Sequence, residues 1–285
     1  MLWHDAKLCA DAKLCHDAKP HRYAPDEHPR FCSTFSANQN QLSDDDPSLP
    51  MPTSDLDKQA SNRRDDVSLK KLRLEAVRRC KMLNLHQLAQ SINKNKDGSL
   101  QIMFSAKTHK DQCPLRVIVS ERGSWQKPVA LFLQDKLEVL GFNDPFLVRN
   151  SDDILDFLKD NSDKGFSACS FDIKDLYYSL PHDRLLTSVE HCIDRFGTVA
   201  FQNQIGMREE SFIEMLSFYL KSTFVEWNDG VYIQKQGVCI GSCLAPILSN
   251  IFLAHQDKVL FERFNEGNDF NEIKVFRFVD DFLVL

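Results

Sequence analysis

Glycine and proline are scarce in this chain, with 10 and 11 of its 285 residues. That scarcity excludes a collagen-like or low-complexity architecture. Long apolar runs are missing too. The best approach to one, Leu244 to Ala254, is interrupted by Pro246, Ser249 and Asn250, whereas a membrane span needs roughly 18 consecutive apolar residues. No apolar stretch of a secretory signal stands at the N-terminus, so no membrane partner is expected. The 9 cysteines never form a C-x-x-C pair, which disfavours a disulfide framework or a zinc ribbon. A reducing setting, nucleus or cytoplasm, is the expectation. No Gly-rich phosphate loop is present either. What the chain does have is apolar and charged side chains, 42% and 27%, enough for one large domain or two modest ones.

The net charge of −6 is unevenly distributed. Residues 63–127 hold 15 Lys and Arg against 6 Asp and Glu, whereas residues 128–285 hold 14 against 25. A basic block beside an acidic one suggests a phosphate-facing surface next to a region that concentrates carboxylates around cations. A solvated basic helix beside an ordinary acidic domain is the plainer alternative. The N-terminus carries a short repeat, Asp5-Ala-Lys-Leu-Cys9 and Asp11-Ala-Lys-Leu-Cys15. Its His4, Cys9, Cys15 and His16 match no usual zinc spacing. Residues 20–66 set six prolines among polar residues, a composition that cannot offset chain entropy by burial. Residues 1–66 therefore read as a disordered leader.

Order is expected from Val67. Leu69, Leu72, Ala76, Cys80 and Leu83 recur at helical spacing with Lys and Arg on the other faces, and Asn95-Lys-Asp-Gly98 ends the pattern. Leu100 to Phe104 and Leu115 to Val119 read as strands around a polar loop. Trp125 to Leu140 and Ser151 to Asp160 read as helices. Beyond residue 165, Phe166 to Ile173 suits a buried strand, and helices are expected near Asp183 to Phe196, Glu209 to Leu220 and Leu244 to Phe264. Asn228-Asp-Gly230 marks a hairpin. Ile273 to Leu285 is β-prone except at Asp280 and Asp281. Irregular alternation of strands and helices makes the expected class α+β.

Among the Asp-Asp pairs, only Asp280-Asp281 is embedded in apolar sequence, Val275 to Leu285. Burying two adjacent carboxylates costs several kcal/mol each without compensation. Two readings remain: a tight turn presenting both carboxylates to a divalent metal, or an exposed β-turn using Asp for its turn preference. Asp172, at the end of the strand Phe166 to Ile173, favours the first. A strand-end carboxylate facing a hairpin pair is what two-metal phosphoryl transfer needs, with the ions about 3.5–4 Å apart. Magnesium suits such oxygen ligands, two ions in number, with manganese as the alternative. Tyr177, five positions beyond Asp172, reads either as a core tyrosine or as the ring beneath a nucleotide sugar.

Three blocks together resemble reverse transcriptases: Phe171-Asp-Ile-Lys-Asp-Leu-Tyr-Tyr-Ser-Leu-Pro181, Gln236-Gly-Val-Cys-Ile-Gly-Ser-Cys-Leu-Ala-Pro246 and Phe278-Val-Asp-Asp281. Their order is similar to palm motifs A, B and C. Ala106-Lys-Thr-His-Lys110 with Pro114-Leu-Arg-Val-Ile-Val-Ser120 resembles the fingers hairpin of Penelope-like retroelements, relatives of telomerase reverse transcriptase. The resemblance spans about residues 100–285 and implies the fingers and palm of a right-hand polymerase. It places a fingers-like region with the basic helix in 67–165 and the palm in 166–285.

The resemblance implies roles. Asp172, Asp280 and Asp281 would be the catalytic, metal-holding carboxylates. Tyr177 would discriminate the sugar, and Gln236, Gly237, Gly241 and Ser242 would line the nucleotide pocket. Lys107, Lys110 and Arg116 would meet the triphosphate. The implied partners are an RNA template, a DNA primer and deoxynucleoside triphosphates. With only four residues after Asp281, the thumb that the resemblance implies is expected to be absent from this sequence. The expectation is a C-terminally truncated piece of a mobile-element reading frame. A catalytically incompetent remnant that only binds nucleic acid, or an RNA-directed RNA polymerase, are the alternatives.

Overall fold

The helical spacing after Val67 does produce a helix, α1 (Leu69–Met82), which buries Ala76, Val77 and Cys80. The periodic stretch is two helices rather than one. Asn84 takes a left-handed backbone (φ 59), a conformation that asparagine tolerates better than most residues. The chain then restarts as α2 (His86–Lys94), which buries Leu88, Ala89 and Ile92. The structure, a computed structural model, describes residues 61–63, 68–95, 98–106, 108, 115–141, 143–227, 230–266 and 273–285. The expected disordered leader lies outside them except for β1 (Ser61–Arg63), a short strand where the composition announces none.

β2 (Gln101–Ala106) and β3 (Leu115–Ser120) pair antiparallel, from Gln101↔Ser120 to Ala106↔Leu115. Then follow α3 (Gln126–Leu137), α4 (Asp152–Asp160), β4 (Cys169–Asp172), the single-turn α5 (Leu176–Ser179), and α6 (His182–Phe196). Gly197, at φ +100, lets the chain leave α6 and enter α7 (Thr198–Ile205), which has no periodic signal of its own. After α8 (Glu209–Leu220) come β5 (Phe224–Trp227) and β6 (Gly230–Gln234), the hairpin that Asn228-Asp-Gly230 announces. β1 adds to the free side of β6, giving the order β1-β6-β5. The long α9 (Leu244–Glu266), then β7 (Val275–Phe278) and β8 (Asp281–Val284), close the described chain.

β4, β8 and β7 form an antiparallel sheet in that order. The described elements are thus α+β, as expected. They belong to one compact unit made of residues 52–164 and 168–285. Its main core is helical: Val129 and Leu133 of α3, Val189 of α6, Leu216 of α8 and Leu248 of α9 are all completely covered. Each such side chain contributes about 1.5–3 kcal/mol by leaving water. The C-terminal half of α9 does a second job. Its Leu260 and Phe264 pack with Phe146, Val275 and Phe282 against the β4-β8-β7 sheet.

One expectation fails in this sheet. The segment Phe166 to Ile173 reads as a buried strand, but only Cys169–Asp172 is strand and all four residues are exposed. Among the described residues β4 is an edge strand with a neighbour on one side only, and the burial falls instead on β7 and β8.

Candidate active site

Strand pairing brings the three aspartates together. Asp172, the last residue of β4, lies opposite Asp281, the first of β8. The Ile173 N–H donates to the Asp280 carbonyl at 2.9 Å. Residues more than a hundred positions apart are thereby neighbours at one end of the sheet. Side chains alternate across a strand, so the paired Asp172 and Asp281 share one face, while Asp280 sits in the turn. A cavity of about 380 Å³ opens here, lined among others by Asp172, Asp281, Phe276, Phe278, Leu283 and Ile154. Exposed carboxylate oxygens suit a hard divalent cation that keeps most of its waters. Among the described residues, however, no three His, Cys, Asp or Glu side chains are gathered as one metal-holding group. The backbones converge, but the three carboxylates do not close into a single cage.

The turn between β7 and β8 is strained. Val279 has φ 57, and a β-branched residue at positive φ is a true outlier. Its support comes from residues that no sequence motif singles out. Arg277, wholly buried, donates from Nη1 to the Val279 carbonyl at 2.9 Å and from Nε to Asp257 Oδ2 at 2.5 Å. Its Nη2 donates to Asp144. Asp144 also accepts from the backbone N–H groups of Phe146 (3.0 Å) and Leu147 (3.1 Å). Burial, with Asp144 adding to it, pushes the Asp257 carboxyl up to about 7 against the pull of Arg277. One cation between two buried carboxylates leaves an excess negative charge, which favours a proton on Asp257. A charged residue on the buried side of an otherwise apolar strand was the available sequence signal.

Tyr177 stands in α5, half-buried and packed against the helical core. Burial raises its phenol, a hydrogen bond with Ser249 opposes that, and the charge of Asp280 adds to the rise. Its hydroxyl is therefore within electrostatic reach of the turn aspartate. The next residue, Tyr178, donates to the Val117 carbonyl of β3, joining this loop to the β2–β3 hairpin.

The second block folds over the first. Gly237 N–H donates to Leu180 O and Val238 N–H to Tyr177 O, each at 2.7 Å. Gly237 has φ +78, and a Cβ there would stand 2.4 Å from the Tyr177 carbonyl oxygen. A Cβ on Gly241 would lie 2.4 Å from the Val119 carbonyl oxygen. The room these glycines make is filled by protein backbone, where the motif resemblance implies a nucleotide. Ser242 departs further from its expected place. It is buried, its Oγ is 2.7 Å from the Tyr219 hydroxyl, and it accepts the Leu244 N–H at 3.1 Å. Its hydroxyl is thus spent on capping α9 and on Tyr219. Gln236 is exposed on the loop before Gly237.

Tyr219 also donates to Glu121, a carboxylate only 1% exposed at the end of β3. Burial raises the Glu121 carboxyl above its ordinary range, against the hydrogen bonds from Tyr219 and Ser242. Its Oε2 has no hydrogen-bond partner among the described residues, and Lys127 Nζ lies 3.9 Å away. Of the triphosphate candidates, Arg116 is exposed on β3, while Lys107 and Lys110 lie outside the described residues, as do the metal-capable residues of the leader.

On α1 the basic residues divide. Arg73 donates to the Asn95 carbonyl (3.2 Å), Arg78 and Arg79 bind Glu75 (2.7 and 2.8 Å), and Lys70, Lys71 and Lys81 face solvent. Among the described residues, no helix is long and apolar enough to cross a membrane.

No protein-family model matches the chain, and no curated protein matches it. Among solved structures it is similar to apo telomerase from Candida tropicalis, at 18% identity and a TM-score of 0.46 over 72% of this chain and 42% of that one. A form of that telomerase truncated from its C-terminal domain gives 18% identity and a TM-score of 0.45 over 65% and 43%. Telomerase from Candida albicans, in complex with a TWJ fragment of telomeric RNA, gives 14% and 0.45 over 65% and 37%. The chain spans less than half the length of these telomerase chains.

Proposed function

We propose that this chain is the fingers and palm of an RNA-directed DNA polymerase of the Penelope-like kind, extending a DNA primer with deoxynucleotides on an RNA template. The observation that carries the reading is the pairing of strand-end Asp172 with Asp281, beside a strained turn that presents Asp280. Magnesium, or manganese in its place, would be held by Asp172 and Asp280 with Asp281 adjacent. It would acidify the primer 3′-hydroxyl and neutralise charge on the transferred phosphate. The protein's own residues supply position. Tyr177, whose phenol feels the charge of Asp280, is suited to lie under the sugar and exclude a ribose 2′-hydroxyl. Arg116 offers a planar fork for phosphate, with Lys107 and Lys110 as the other cations of that hairpin. Gln236, exposed on its loop, would be free to meet a template–nucleotide pair, while Gly237 and Gly241 hold that loop close to α5 and β3.

One observation favours the non-catalytic alternative: three carboxylates are not gathered among the described residues. Single-nucleotide incorporation on a primed RNA template separates the readings. The full chain with magnesium is expected to add dNTP in preference to rNTP, and Asp172→Asn to abolish both additions. Template binding without incorporation by the unaltered chain would favour the remnant. A preference for rNTP would favour an RNA-directed RNA polymerase.

A further inference from the structure

An arginine buried in a sheet face needs a reason. Charges taken out of water are seldom a net gain in stability, and apolar residues of similar volume often serve as well. An apolar side chain at position 277 would lack donors, and all three guanidinium nitrogens are in use. Two engage Asp257 of α9 and Asp144 of the loop before α4. The third engages the carbonyl of Val279, whose backbone is the strained one. That carbonyl belongs to the peptide joining Val279 to Asp280, so holding it sets the peptide plane and with it the direction of the Asp280 side chain. The anchors are rigid. Asp257 is buried in α9, and the Asp144 loop is bonded to β7 by Arg277 N to Phe146 O at 2.6 Å and Val148 N to Arg277 O at 2.9 Å.

We propose that Arg277 is the positioning residue of the Asp280–Asp281 turn, clamped by Asp144 and Asp257 so that its Nη1 fixes the Val279–Asp280 peptide. Its catalytic consequence rests on the polymerase reading; its effect on the turn does not. Arg277→Lys keeps the charge but loses the fork. Asp257→Asn keeps the bond to Val279. Should Arg277→Lys fail to fold, the charge-free variant Asp144→Asn/Asp257→Asn/Arg277→Met removes the donor without leaving a buried charge unpaired.

The test is hydrogen exchange by mass spectrometry on the full chain, alongside nucleotide incorporation. In Arg277→Lys, or in the triple variant, amides of 279–281 are expected to exchange at least about tenfold faster, while those of α6 and α9 keep their protection. In Asp257→Asn the turn should stay near wild type. Incorporation by Arg277→Lys should lose about tenfold or more in kcat with little change in the KM for nucleotide. Wild-type exchange at the turn in the Arg277 variants, or equal loosening by Asp257→Asn, would overturn the positioning role. Loosening of the turn in a chain that incorporates no nucleotide at any position of the series would sink the polymerase reading and leave Arg277's role standing.

Discussion

Gly237 is constrained twice, by its backbone conformation and by what lies against it. A side chain there must adopt φ +78 and put its Cβ 2.4 Å from a backbone oxygen that is itself bonded to Val238. Gly237→Ala should therefore lose about 1–3 kcal/mol from the conformation alone, and more from displacing the Tyr177–Tyr178 backbone. Urea unfolding followed by circular dichroism measures this, and a loss under about 0.5 kcal/mol, typical of a surface substitution, would contradict the packing described. The sequence marked Gly237, Gly241 and Ser242 as a functional block without showing what each touches. The atoms that fill the space around the glycines come from Tyr177 and Val119, segments far earlier in the chain. The aspartates were more legible, because a charged pair in an apolar run calls for an explanation wherever it is met.

Helical periodicity made α1, α6, α8 and α9 readable one element at a time, since a stripe of apolar residues is a local property. The break at Asn84 and the exposure of β4 are not local. One depends on a backbone turn that lets α2 return alongside α1, the other on how many neighbours a strand finds. The basic helix shows the same division. Arg73 bonds to the Asn95 carbonyl and Arg78 and Arg79 share Glu75, with Arg78 staying exposed, while Lys70, Lys71 and Lys81 also face outward. If α1 binds nucleic acid, replacing those three lysines by glutamine should weaken binding and flatten log affinity against log salt. On a duplex the slope should fall by roughly 0.9 for each phosphate no longer neutralised. Fluorescence anisotropy across a salt series measures it. An unchanged slope would make α1 an ordinary solvated face.

At the scale of the whole molecule, one buried cluster ties distant segments together: Glu121 after β3, Tyr219 of α8 and Ser242 before α9. Because burial raises the Glu121 pKa, the folded chain holds the carboxyl's proton more tightly than the unfolded chain does. The resulting stability is complete below the ordinary value of 4.5 and fades as pH rises through the raised folded value. Glu121→Gln, which cannot ionise, should lack this component, so wild-type stability relative to the variant should fall as pH rises from 4.5. Urea midpoints for both proteins over that range test it, and a constant gap would mean that Glu121 does not titrate with folding. By itself the sequence determined most of the helices, the two hairpins, the α+β class and the three aspartates as a chemical oddity, because periodicity, turn residues and misplaced charge act within a few residues. Only the tertiary structure decided that Asp172 and Asp281 share a strand pair, that Arg277 spans Asp144, Asp257 and the Val279 carbonyl, and that Ser242 is spent inside. Pairing register and the partners of buried polar groups depend on segments distant in the chain meeting in space.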